Sequence, residues 1–172
     1  MSQTFYWDNN VMTWLVDRYP IPKLHELVDQ QINQGHLKVC EHVFEEAQGG
    51  PAKGWVQARK SGVYVPMTTD ILLVLRDVLV QLPDFVDHSK PKGKDADQYF
   101  VATVLAHQRG IGQNLMSGTP VLVTNERNMQ GKETRYRIPD ACDALGIECV
   151  DFHGWLSACG YRIDLVPSQE EG

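Results

Sequence analysis

A chain of 172 residues, 42% of them hydrophobic, is long enough for one domain with a real core, and its composition is that of an ordinary globular protein. A formal net charge of −6 argues against broad electrostatic coating of nucleic acid, yet it leaves room for a local site where metal ions supply the positive charge. No apolar run reaches the roughly 18 residues of a membrane span, and the opening Met1 to Asp8 lacks the basic start and apolar middle of a signal peptide, so a cytoplasmic protein is expected.

Taken in order, Thr4-Phe5-Tyr6-Trp7 reads as a short aromatic strand ended by Asp8-Asn9-Asn10. Helical spacing resumes with Val11, Trp14 and Leu15, and Tyr19-Pro20-Ile21-Pro22 breaks it. Pro22 opens a second helix with Leu24, Leu27, Val28 and Ile32 on one face, closed by Gly35. Leu37 to Cys40 is a second strand, followed by a helix from Glu41 to about Ala47. Gln48-Gly49-Gly50-Pro51 is a break, and Val63 to Pro66 a third strand. Thr69 is expected to cap a strong helix bearing Ile71, Leu72, Leu75, Val78, Leu79 and Leu82.

Residues Pro83 to Lys94 read as a loop delivering the chain to a helix that begins near Asp95. Asp95 can cap that helix, while Asp97 sits on its first turn ahead of Phe100, Val101, Val104 and Leu105. Arg109 to Gly118 is a glycine-rich loop without an assigned role. Pro120 to Thr124 is a continuous apolar strand, as expected inside a parallel sheet, and Asn125-Glu126-Arg127-Asn128 ends it. Ile138-Pro139 starts a short helix ending at Gly146; Ile147 to Val150 is the last strand and Phe152 to Cys159 the last helix. One domain is expected over residues 1–166, with an acidic tail at 167–172.

Alternation of strand and helix predicts an α/β fold with a parallel sheet covered on both faces. Ligands of such sheets collect beyond the carboxyl ends of the strands. Asp8 and Glu126 directly follow strands, Glu46 lies on a helix after one, and Asp97 starts a helix. All four carboxylates are therefore candidates to meet at that edge. Ionised carboxylates about 4 Å apart repel by about 4 kcal/mol at an effective dielectric near 20, so such a group implies neutralising cations. Oxygen-only ligation suits Mg²⁺ or Mn²⁺, and the reaction such ions best serve between phosphoryl oxygens is phosphodiester hydrolysis. Asn10 and Thr124 are placed to orient these groups without adding charge, and Lys132, Arg135 and Arg137 to bind substrate phosphates. Tyr6 and Trp7 are expected in the core, and Asp140 and Asp143 in structural roles.

The competing chemistries have less support. Cys40, Cys142, Cys149 and Cys159 form no Cys-x-x-Cys pair and read as free buried thiols of a reducing compartment. The six histidines show no i, i+4 zinc pair, and Ser157 and Cys159 lack a base partner.

The ordered set resembles the PIN-domain nucleases over nearly the whole chain: Trp7-Asp8-Asn9-Asn10-Val11, Val43-Phe44-Glu45-Glu46-Ala47, Asp97-Gln98-Tyr99-Phe100-Val101-Ala102, and Val121-Leu122-Val123-Thr124-Asn125-Glu126. Arg137-Ile138-Pro139-Asp140-Ala141-Cys142, followed by Leu145-Gly146-Ile147, resembles a PIN-like branch often linked to toxin–antitoxin operons. The resemblance implies a three-layer α/β/α sandwich around a parallel sheet and Mg²⁺- or Mn²⁺-dependent cleavage of RNA. It also implies a homodimeric VapC-type toxin silenced by a cognate antitoxin. By position, Asp8, Glu46 and Asp97 would be the main metal ligands and Glu126 the fourth acid, a Glu where many PIN domains have Asp. Glu45 competes with Glu46, and Asp95 either assists Asp97 or caps its helix. A non-catalytic PIN-like RNA- or protein-binding module is the alternative. Less favoured is an aspartate-based phosphatase with Asp8 as nucleophile, because Asn10 stands where a second acid belongs.

Overall fold

The computed structural model describes residues 2–86, 95–112, 118–127 and 136–164. The expected tail at 167–172, Lys132 and Arg135, and much of the glycine-rich loop lie outside the described residues. Among the described residues five parallel strands form one sheet: β1 (Gln3–Trp7), β2 (Leu37–Cys40), β3 (Tyr64–Val65), β4 (Thr119–Val123) and β5 (Cys149–Val150), in the order β3-β2-β1-β4-β5. β1 runs in register with β4 from Gln3 opposite Thr119 to Trp7 opposite Val123. The central strands are buried along almost their whole length, which explains why they read as unbroken apolar runs.

From β1 the chain moves outward through β2 to β3, then returns to β4 and moves outward again to β5. Right-handed crossovers in opposite directions place helices on opposite faces. The arrangement is thus the expected three-layer sandwich, and its order reverses between β1 and β4.

The helices are α1 (Asn9–Arg18), α2 (Pro22–Asn33), α3 (Glu41–Ala47), α4 (Lys53–Ala58), α5 (Lys60–Val63), α6 (Thr69–Gln81), α7 (Asp97–Gln108), α8 (Ile138–Leu145) and α9 (Phe152–Ala158). A 3₁₀ turn, Pro83–Phe85, follows α6. Asp140 accepts from the Arg137 amide at 3.2 Å, a structural task at the start of α8, and Gly146 ends that helix at φ 66°, where a side chain would be strained. α7 is buried on every side and packs against α6, α3, α8 and β4, as befits a helix apolar all round.

Several expectations need correction. α4 and α5 carry no sequence signal, since Gly54 and Gly62 dilute them and few positions are buried. Gly62 is required there: a β-carbon would lie 2.6 Å from Ile32 Cγ2, so α5 can approach α2 only through a glycine. Thr68, not Thr69, caps α6, its hydroxyl accepting from the Ile71 amide at 3.3 Å. The buried stripe of α6 is Ile71, Val74, Leu75 and Val78; Leu72 falls outside it and is 46% exposed. Ala96, not Asp95, holds the N-cap position of α7, and Asp95 is buried just before it. Of the cysteines only Cys40 and Cys142 are buried; Cys149, on an edge strand, and Cys159, ending α9, are half-exposed. Among the described residues no helix is long and apolar enough to cross a membrane.

Candidate active site

β1 ends by placing Asp8 at the N-cap of α1, where it accepts from the Asn9 amide at 2.6 Å. Its other oxygen, Oδ2, accepts from Asn10 Nδ2 at 2.6 Å and from the Thr124 hydroxyl at 2.8 Å. Asn10 Nδ2 also donates to Thr124 Oγ1 at 3.0 Å, and Asn10 Oδ1 accepts from the Asn125 amide at 3.0 Å. The Glu126 amide completes the network by donating to Thr124 Oγ1 at 3.2 Å. Asn10 and Thr124 thus tie the end of β1 to the end of β4 across the point where the strand order reverses, where open α/β sheets bind ligands.

A cleft of about 400 Å³ opens there, lined by Asp8, Glu46, Asp97 and Glu126. All four expected acids are brought together. Glu46 faces the cleft; Glu45, its rival, is outside the lining and acts electrostatically on His42. Asp97 stands on the first turn of α7, where the positive end of the helix dipole favours a carboxylate. Glu126 has a second task, since its Oε2 accepts from the Ile138 amide at 3.3 Å and so holds the start of α8. Arg137 is half-buried beside that amide but does not line the cleft.

Burial is the main force on Asp8, followed by the opposing hydrogen bond from Thr124 and then repulsion from Asp97, Glu126 and Glu46; together they push its carboxyl up from 3.8 to about 8. Between about pH 4 and pH 8 the folded protein therefore keeps a proton that the unfolded chain has released. Metal-free protein should lose stability as pH rises through that window and level off above it. The part of that loss that belongs to Asp8 is on the order of a few kcal/mol. Denaturation midpoints in EDTA should show this slope, and Asp8→Asn should flatten it; an unchanged slope in the variant would assign the effect elsewhere.

Thr124→Val should act on the same network. It removes a donor to Asp8 and an acceptor for Asn10 and Glu126, so it should cost roughly 1–3 kcal/mol in urea unfolding. Asp8 should titrate still higher, because the hydrogen bond that lowers its pKa is gone.

The lining is rich in oxygen donors, and the buried Oδ1 of Asn9 has no hydrogen-bond partner among the described residues. That donor chemistry fits a hard divalent cation rather than zinc or copper. Among the described residues, however, no three His, Cys, Asp or Glu side chains are gathered as a ready-made metal set. Asp8 is a poor nucleophile, with both oxygens occupied by donors. Asn9, Thr13 and Trp14 also line the cleft and escaped sequence reasoning, although Thr13 and Trp14 lie three and four residues after Asn10, on one helical face.

A parallel sheet in this order, covered by helices on both faces, is a PIN-like α/β/α fold. The chain belongs to the family described as a domain of unknown function (DUF4411), whose profile spans residues 5–163. Among solved structures it is similar to FitAB bound to an IR36 DNA fragment, with a TM-score of 0.50 and 12% identity over 86% of this chain and 94% of that chain. It is also similar to FitAcB from Neisseria gonorrhoeae, with a TM-score of 0.48 and 13% identity over 85% of this chain and 96% of that chain. At such identity the FitAB likeness speaks for the fold. No curated protein matches.

Proposed function

We propose that the protein is a Mg²⁺- or Mn²⁺-dependent endoribonuclease, the toxin of a toxin–antitoxin pair, acting in the cytoplasm as a homodimer silenced by a cognate antitoxin. The observation that carries the catalytic part is the meeting of Asp8, Glu46, Asp97 and Glu126 in one cleft at the switch point. Asp8, Glu46 and Asp97 would hold the cation, with Glu126 as the fourth acid. A bound divalent ion supplies an activated water and offsets charge on a phosphoryl oxygen. The chain's own contribution is to hold the acids in place. Thr124 and Asn10 fix the orientation of Asp8, and the Asn9 amide holds its second oxygen. Glu126 couples the cleft to α8. Arg137, with Lys132 and Arg135, would meet the phosphates flanking the scissile bond.

The lack of a ready-made metal set favours a second reading, a PIN-like module that binds RNA or protein without cutting. Incubating the purified protein with RNA in Mn²⁺ or Mg²⁺, against EDTA and Asp97→Asn controls, separates the two. Cleavage lost in both controls supports the nuclease; RNA left whole under every condition supports the binding module.

A further inference from the structure

Among the described residues that line the cleft, Trp14 is the one hydrophobic side chain. It stands on α1 one turn beyond Asn10, about 6 Å further along the helix axis. Its indole is half-buried outside the hydrophobic core, and its ring meets, tilted with centroids 6.1 Å apart, that of Tyr19, which packs against the core. The other three tryptophans behave differently: Trp7 and Trp155 are fully buried, and Trp55 stacks on Trp7. One more turn along α1, the exposed Arg18 guanidinium lies over the Trp14 ring, 5.2 Å from its centroid. Carboxylates and one aromatic surface thus line the cleft, and a cation outside its lining lies against that surface.

We propose that Trp14 is the nucleobase platform of this cleft: a base next to the scissile phosphate stacks on the indole, and Arg18 meets the strand's backbone one turn further on. The inference rests on the nuclease reading and names how that site holds its substrate. The physical case is one of charge. A chain of net charge −6 gains little from phosphate attraction beyond the bound cation and a few basic residues, so a contact indifferent to charge adds to binding. Base–aromatic stacking is such a contact, and it tolerates any sequence because every base has a π-face. In a duplex those faces are covered by neighbouring pairs, so Trp14 selects an unpaired base. Trp14 is a positioning residue; it has no part in the proton or metal chemistry.

The test is binding of a short fluorescein-labelled single-stranded RNA of mixed sequence, followed by anisotropy with Ca²⁺ present, against an abasic ribose-phosphate strand of equal length. Wild-type protein should prefer the base-bearing strand by roughly 5- to 100-fold. Trp14→Ala should lose that preference while binding the abasic strand as before, and Trp14→Phe should keep most of it. A preference undiminished in Trp14→Ala overturns the platform. So does an equal loss on both strands, which would mark a structural role. If wild-type protein cuts RNA with Mn²⁺ yet shows no dependence on bases, this inference fails and the nuclease reading stands. If it neither cuts nor binds either strand, both fail together.

Discussion

Asp97→Asn should reduce metal-dependent RNA cleavage by at least about 100-fold while leaving the fold intact. The substitution keeps shape and removes one negative charge from a cleft whose proposed task is to hold a divalent cation. Losses of 10²–10³ are typical when one group aimed at developing charge is removed, or about 3–4 kcal/mol of barrier. Asp97 begins α7 but is not its N-cap, and the helix is anchored by its buried length. Circular dichroism and the melting temperature should therefore change little. Asp8→Asn should be as damaging. Glu126→Gln should be milder, near 10-fold, because the amide oxygen can still accept from Ile138. Gel-based cleavage of RNA with each variant gives the order. Full activity of Asp97→Asn, or indifference to EDTA, would remove the metal mechanism altogether.

Trp7→Ala should lower unfolding free energy by about 3–5 kcal/mol, the usual cost of emptying a large aromatic site in a core. Trp7 ends β1 immediately before Asp8 and is fully buried. Its ring stacks on Trp55 of α4 with centroids 6.2 Å apart, and meets Trp155 of α9 edge-on at 4.8 Å and Phe152 edge-on at 6.2 Å. One side chain therefore joins the central strand to two peripheral helices, and its loss frees the strand end that presents the first acid. Trp7→Phe should cost less than half as much. It keeps most of the ring and removes an indole N–H that is buried without a partner among the described residues. Urea unfolding of the two variants measures the difference, and equal costs would mean that the cluster tolerates any smaller side chain.

Much of this molecule could be read without coordinates. The helix Glu41–Ala47 and the strand Leu37–Cys40 have the bounds expected from the sequence, and the buried face of α2 is the expected one. Apolar period, proline and glycine act within a few residues, so local order alone carries those signals. The meeting of Asp8, Glu46, Asp97 and Glu126 was also legible, because alternation of strand and helix directs every strand end to one edge.

What needed the tertiary structure was every choice between neighbours. Glu46 rather than Glu45 faces the cleft, Val74 rather than Leu72 is buried on α6, and Trp14 lies outside the core while Trp7, Trp55 and Trp155 share an aromatic cluster. α4 and α5 exist because they pack on their neighbours, not because their residues favour helix. Residue type sets what a side chain can do, and spacing sets which turn it stands on. Which turn meets a partner depends on elements scores of residues away, and only the folded chain brings those together.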